Sequence, residues 1–457
     1  PAQPFSTVHT QHMDDATTAA LRARRPVCWE NPACDEDGGC GVLSRADLDA
    51  SVRMWAWLRP LFVLLFPEEV TNPPWGEPGT VSSPLRRIDA MGRALGLRPG
   101  RCLLKADSNL AVCGSVKARG GMFEVFNVAA HLAKAFFGGL EVRESELQSV
   151  FDPRGAGFSS AALAEDPKLR AHLAEREIVV GSTGNLGLSV GLGAAALGMR
   201  AVVHMSTDAK AWKKSLLRSR GVVVVEHAGL YDEAVAAGRA ESASNPASHF
   251  VDDESSRVLF LGYSAAAFEL RAQLAELNVE VSPERPLVVH IPCGVGGAPG
   301  GLCWGMHLAF GAAQPVRVFF AEPVAAPCVT LALCTGKGAA VCVADIGLDG
   351  KTEADGLAVG RASALCFETC APLVEGSYTI EDCTLFEHLG ALVELERSFI
   401  EPSCCACFAG PGHLAAGSQR ARWLLAEGTH VFWATGGSLV PEAEREALVA
   451  RTPMGRQ

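Results

Sequence analysis

From about residue 100 onward, short apolar runs alternate with longer stretches of helical period. Residues 101–105 read as a strand and 115–134 as a helix. Residues 177–180 read as a strand, and 185–198 as a helix built of small residues. The order repeats with strand 201–205, basic helix 209–220 and strand 221–226. Further on come strand 286–291, a glycine-rich turn, a helix ending near Phe310, strand 316–320 and a β-rich run at 430–434. Strands alternating with helices predict parallel sheets covered on both faces. Residues 1–100 read as mainly helical and polar, with turns at Pro26, Pro32 and Pro73-Pro74, and 138–166 as a surface loop.

The length of 457 residues exceeds one ordinary core, so a two-lobed enzyme or two to three domains are expected. A net charge of −11 argues against a nucleic-acid surface, which needs a basic face. The apolar run 54–70 is broken by Arg59 and Pro60 and closed by Glu68 and Glu69, too short to span a bilayer. No secretory signal is evident, and the first residue, Pro1, leaves room for a start methionine or a targeting peptide upstream. The 16 cysteines match no zinc spacing. Cys404 and Cys407 form one Cys-x-x-Cys pair without a second, and Cys28, Cys34 and Cys40 fit no familiar ligand pattern. Most read as small buried hydrophobes in a reducing compartment, cytoplasmic or organellar, with a disulfide framework as the rival.

Four stretches sit where α/β sheets bind ligands, at the carboxyl ends of strands. Gly114-Ser115-Val116-Lys117-Ala118-Arg119-Gly120-Gly121 puts an amine near a helix start. A neutral amine there attacks an aldehyde, whereas the plain alternative is a solvated Lys beside a solvated Arg. Gly181-Ser182-Thr183-Gly184-Asn185-Leu186-Gly187 sets two hydroxyls and an amide at a helix N-terminus, suited to a carboxylate or to ordinary capping. Cys293-Gly294-Val295-Gly296-Gly297-Ala298-Pro299-Gly300-Gly301 follows a strand, and its converging N–H groups suit one phosphate. It lacks the Gly-Lys-Ser/Thr of a nucleotide loop and the setting of a dinucleotide fingerprint. Thr435-Gly436-Gly437-Ser438 offers a hydroxyl after the last β-rich run.

In this order the four stretches resemble the fold type II pyridoxal-phosphate enzymes, whose α/β architecture is like that of the tryptophan synthase β chain. The closer resemblance, over about 26–442, is to the bacterial-type D-serine dehydratase (D-serine ammonia-lyase) family. Val203-His204-Met205-Ser206, Trp212-Lys213-Lys214, Asp252-Asp253-Glu254-Ser255-Ser256-Arg257 and Ala321-Glu322-Pro323 carry it. So does the long run Asp355-Gly356-Leu357-Ala358-Val359-Gly360-Arg361-Ala362-Ser363. The resemblance implies two lobes, each a central sheet flanked by helices. The large cofactor-binding lobe would be 1–122 with 255–457, and the small lobe 123–254. It implies that Lys117 carries pyridoxal 5'-phosphate as a Schiff base and Asn185 meets its phenolic oxygen. Gly294, Val295, Gly296 and Gly297 would hold the phosphate, and Thr435 the ring nitrogen. Ser182, Thr183 and Gly184 would hold the substrate carboxylate. A cation, monovalent such as K+ or divalent, would lie on Glu322, the Ala326 carbonyl and Cys328.

The implied reaction is α,β-elimination of water from D-serine, or D-threonine, to pyruvate or 2-oxobutyrate and ammonia. Lys117 is the expected base, with Thr183 or an acid, Asp252 or Asp253, as the other candidates. Rival readings are an L-serine or L-threonine dehydratase or serine racemase on the same fold, or a non-catalytic binding protein. The expected partner is a small molecule, with no nucleic acid and no membrane, for a monomer or homodimer. Ala298 replaces a usual Gly, as does Ala267, and Asn109, Ala111 and Cys113 replace the usual His, Pro and Ser.

Overall fold

The computed structural model describes residues 15–34, 42–228, 231–311 and 313–452. Cys40 lies outside the described residues. The described strands form two sheets. The first has the order β1-β10-β9-β8-β11-β3-β2, formed by β1 (Cys28–Glu30), β2 (Leu85–Arg87), β3 (Cys102–Lys105), β8 (Leu287–Pro292), β9 (Val316–Pro323), β10 (Val374–Ile380) and β11 (Thr429–Trp433). Its inner strands are parallel and its two edge strands antiparallel. The second sheet, β6-β5-β4-β7, is parallel throughout and comes from one contiguous stretch: β4 (Glu177–Gly181), β5 (Arg200–Ser206), β6 (Val223–His227) and β7 (Ser248–Val251).

Parallel strands covered by helices on both faces are apolar without alternation. Strands β3, β4, β8, β10 and β11 accordingly bury every residue. The helices that matter for the site are α1 (Arg45–Leu65), α2 (Phe123–Gly138), α3 (Asn185–Ala196), α4 (Ala211–Ser219), α5 (Ala266–Glu276), α6 (Gly297–Phe310) and α7 (Cys328–Thr335). Helix α1 opens with a capping box between Ser44 and Asp47, which satisfies two otherwise unpaired N–H groups. It buries Leu48, Met54, Leu58, Leu61 and Phe62, and Pro60 lies within it. Helix α3 is made of small residues because it lies close on β5 and α4. A methyl on Gly187 would stand 2.9 Å from Val203, and one on Gly191 2.8 Å from Leu217.

Three expectations need correction. The first hundred residues are not only helical, since they also supply both edges of the large sheet, β1 and β2. These strands have three residues each and are defined by their partners rather than by an apolar pattern. The stretch 138–166 is not a bare surface loop. It buries Phe151 and Leu163, and holds one-turn helices at Glu144–Leu147 and Ala162–Glu165. The helix expected from residue 115 begins later. Ser115 bridges to Gly436, the Val116 N–H donates to the Thr435 carbonyl at 2.8 Å, and a π-turn at Ala118–Met122 leads into α2. Among the described residues no helix is long and apolar enough to cross a membrane. The described cysteines are all free, so no disulfide framework holds them. Cys407 donates to the Cys404 carbonyl at 3.0 Å, a bond within one helical turn rather than a metal pair.

Candidate active site

Lys117 stands just ahead of the π-turn, its carbonyl accepting from Ser189 Oγ of α3 at 2.7 Å. Its Nζ lies 2.9 and 2.7 Å from the two carboxylate oxygens of Asp253. The pair is only partly covered, with side-chain exposures of 21% and 12%. A methyl on Gly297 would come within 3.2 Å of the same carboxylate, so the amine faces the glycine loop across Asp253. Five residues before Lys117, Val112 holds φ at 72°, a strained setting for a β-branched residue.

The glycine loop runs from β8 into α6. Gly296 adopts φ of 109°, and a side chain there would also strike Cys366. Helix α6 has no side-chain cap, which leaves its first N–H groups and its dipole for an anion. Ala298 is the second residue of that helix and is not among the positive-φ residues, so its methyl does not strain the loop. The turn Ser182-Thr183-Gly184 joins β4 to α3, which also lacks a side-chain cap. A methyl on Gly184 would meet nothing within 4 Å, so this second anion-suited N-terminus faces open space.

Asn185 Nδ2 donates to Glu401 Oε2 at 2.9 Å. The Glu401 N–H in turn donates to the Gly436 carbonyl at 3.0 Å, beside Thr435. The Thr435 hydroxyl lies 3.1 Å from Cys404 Sγ. Burial, with Glu401 nearby, pushes that thiol up to about 12. The four predicted stretches therefore meet. An amine, two helix N-termini without side-chain caps, an amide and a neutral hydroxyl converge, which is the donor set that pyridoxal phosphate and an amino acid require.

Beneath them lies a buried charge network. Arg119 donates to both Asp107 oxygens at 2.8 Å, and to Glu269 of α5 at 2.8 and 3.1 Å. Lys105 donates to the same Glu269 and to Gln273 at 2.9 Å. Ser83 Oγ and Trp433 Nε1 also donate to Asp107, at 2.6 and 2.8 Å. Arg119 is thus not the solvated residue its sequence setting allows. It anchors the Lys117 turn to Asp107, just past β3, and to Glu269 of α5. Burial alone would raise Asp107, but the Arg119 charge and hydrogen bonds outweigh it and hold the carboxyl below its usual range. Glu269 is lowered in the same way, with Arg119 and Lys105 together outweighing burial.

Two predicted groups stand elsewhere. Asp252 does not face Lys117. Its Oδ2 accepts from Arg239 at 2.9 Å and its Oδ1 from the Glu254 N–H at 3.0 Å, so the acid at Lys117 is Asp253. The expected cation set is also occupied otherwise. The two Glu322 oxygens accept from the Val329 N–H at 2.8 Å, the Thr330 N–H at 2.7 Å and the Thr330 hydroxyl at 2.6 Å, which caps α7. Cys328 donates to the Gly294 carbonyl at 3.4 Å, and burial raises its thiol well above the ordinary value. Glu322 is thus engaged at a helix end and Cys328 at the glycine loop, and no step is assigned to a cation. The sequence reading missed Glu401, Asp355 and Lys213 as site groups. The last two lie in stretches that carry the family resemblance, whereas nothing local marks Glu401.

Residues 151–435 match the family described as pyridoxal-phosphate dependent enzyme. The chain belongs to this family. Within it, the group is that of the D-serine dehydratases. A probable D-serine dehydratase of Paracidovorax citrulli is 48% identical over 383 residues, covering 82% of this chain and 81% of the relative. One of Burkholderia lata is 44% identical over 440 residues, covering 93% and 92%. The fold is shared with solved structures of lower identity. Diaminopropionate ammonia lyase of Escherichia coli, in complex with D-serine, matches with TM-score 0.66 at 16% identity, covering 94% of this chain and 98% of its own. The processed form of threonine deaminase isoform 2 of Solanum lycopersicum matches with TM-score 0.62 at 18% identity, covering 99% of each.

Proposed function

We propose that the protein is a pyridoxal-phosphate-dependent dehydratase that converts D-serine, and D-threonine more broadly, to the 2-oxo acid and ammonia. The observation that carries this reading is the Lys117 amine set across Asp253 from the glycine loop. The D-serine dehydratase relatives, aligned over most of their length, supply the substrate. Bound pyridoxal phosphate supplies an electron sink for the pair left when the substrate Cα loses its proton. The N–H groups of Gly294, Val295, Gly296 and Gly297 hold its phosphate. The Asn185 amide serves its phenolic oxygen and the neutral Thr435 hydroxyl its ring nitrogen. Ser182, Thr183 and Gly184, at the N-terminus of α3, hold the substrate carboxylate. Lys117 Nζ takes the Cα proton, and Asp253 holds the resulting ammonium. The Lys117 ammonium then returns its proton to the departing β-hydroxyl, which leaves as water while the amine is restored, and the released enamine takes up a water in solution to give pyruvate and ammonia.

In this reading the seven-stranded sheet belongs to the large lobe and the four-stranded sheet to the small lobe, with the site between them. On the same reading the protein acts on a small-molecule substrate, as a monomer or homodimer. The test is the absorbance spectrum of the purified protein, followed by pyruvate release from D-serine and L-serine in separate samples. A visible band abolished by borohydride, with pyruvate from D-serine only, is expected. Pyruvate from L-serine instead would move the reading to a sister dehydratase. A protein that stays colourless with added pyridoxal phosphate would defeat it. Lys117→Ala should lose both the band and the pyruvate, and substantial pyruvate from that variant would remove Lys117 as the base.

A further inference from the structure

Glu401 is buried, with only 8% of its surface exposed, and so is Lys213, with 2%. Two groups from helices of the four-stranded sheet converge on Glu401. The Asn185 amide at the start of α3 donates to Oε2 at 2.9 Å, and Lys213 Nζ of α4 stands 3.9 Å from Oε1. Lys213 is also 3.7 Å from Asp355 Oδ2. Both carboxylates belong to the other side of the site. Glu401 donates its own N–H to the Gly436 carbonyl, and Gly356, next to Asp355, borders Gly294. The chain leaves room for this junction. A methyl on Gly436 would collide with the Glu401 carboxylate and stand 2.7 Å from Asn185 Nδ2.

We infer that Glu401, held by Lys213, which it shares with Asp355, is a positioning residue that fixes the Asn185 amide and ties the two sheets together across the cofactor site. The inference rests on the proposed role of Asn185 toward the cofactor's phenolic oxygen. An ionised carboxylate only accepts hydrogen bonds, so it can bind only the NH2 end of the amide. With one N–H committed to Glu401, the amide cannot flip, and its second N–H is held ready for an anionic oxygen. Burial raises the Glu401 carboxyl, and Lys213 opposes that shift. Removing the lysine therefore leaves a buried carboxyl that takes up a proton and can donate to the wrong end of the amide. Lys210, which pairs with Glu444 at 3.0 Å near the surface, also bridges the two sides but hydrogen-bonds none of these groups and favours the Glu401 charge less than Lys213 does, so it serves as the comparison.

The experiment titrates pyridoxal phosphate into apo-protein of the wild type, Glu401→Gln, Lys213→Met, Lys213→Arg and Lys210→Met. It reads the visible band and the half-saturating concentration, with the melting temperature of each apo form as the control for folding. A charge-assisted hydrogen bond corresponds to about tenfold or more in binding. Glu401→Gln and Lys213→Met should each bind about tenfold more weakly or worse, with a displaced band. Lys213→Arg should restore both readings, and Lys210→Met should change them far less than Lys213→Met does. If Glu401→Gln does not fold, the comparison of Lys213→Met with Lys213→Arg decides. A folded Glu401→Gln or Lys213→Met with wild-type band and affinity overturns the positioning role alone. A wild type that forms no band overturns the cofactor reading and this inference with it.

Discussion

Replacing Arg119 with Met tests whether the buried charge network holds the site together. The network pairs two cations, Lys105 and Arg119, with two anions, Asp107 and Glu269, all essentially buried. Without Arg119 the balance becomes −1. Glu269 keeps Lys105, but Asp107 is left with only the neutral donors Ser83 and Trp433. Removing one partner of a buried pair costs about 3–5 kcal/mol. Unfolding entropy of about 2.1 cal/mol/K per residue gives roughly 1 kcal/mol/K for a chain of this length, so the melting temperature should fall by about 3–5 °C. The assay is thermal unfolding of the apo-protein by circular dichroism at pH 7 and at acid pH. Asp107 and Glu269 are both lowered in the folded protein. Their contribution is therefore present above the ordinary carboxylate value of about 4 and is lost as pH falls through the lower folded values. In the variant these carboxyls accept protons at higher pH, which relieves the unpaired charge. The gap between wild type and variant should narrow as pH falls toward 4. A fall of less than about 1 °C at pH 7, or a gap that stays constant with pH, would refute the reasoning.

Gly436→Ala should fold but bind pyridoxal phosphate weakly, because its methyl enters the space of the Glu401–Asn185 hydrogen bond. Overpacking of about 1–3 kcal/mol there corresponds to roughly five- to 150-fold in half-saturation, read in the same spectral titration. Burial raises Glu322 to about 7 against the donors Thr330, Val329 and Cys328. A carboxyl raised on folding contributes stability that is full below its ordinary value and lost as pH rises to the folded one. The stability of the wild type over Glu322→Gln, which does not titrate, should therefore shrink between about pH 4.5 and 7 and then level off, as read by melting temperatures across that range.

The groups of the site that lie on compact motifs were legible in the chain. The glycine run after β8, the small-residue start of α3 and the Lys117 stretch each carry their chemistry within a few residues. What was not legible depends on partners far away in sequence. Glu401 and Asn185 are separated by 216 positions, and Arg119 and Glu269 by 150. Strand β10 was not identified because Gly376 interrupts it at a shift of register. There the Trp29 carbonyl of β1 lies so close that a side chain would collide. The choice between Asp252 and Asp253 turns on which way adjacent side chains point at the end of β7, and Arg239 on a neighbouring helix decides it.

The strand order has a consequence for how the chain can be assembled. The four-stranded sheet uses only residues 177–251, so it can close while later segments are still being made. The large sheet cannot. Its last strand in sequence, β11, lies between β8 and β3, so before residue 429 is available the β2–β3 ribbon and the β8–β9–β10 block have no shared neighbour. During synthesis two bare strand edges wait for β11, a period of exposure to mispairing. A chain cut before β11 would be split through the middle rather than trimmed at an edge. Thr435 follows that strand directly, so the sheet and the proposed cofactor site are completed by the same late insertion.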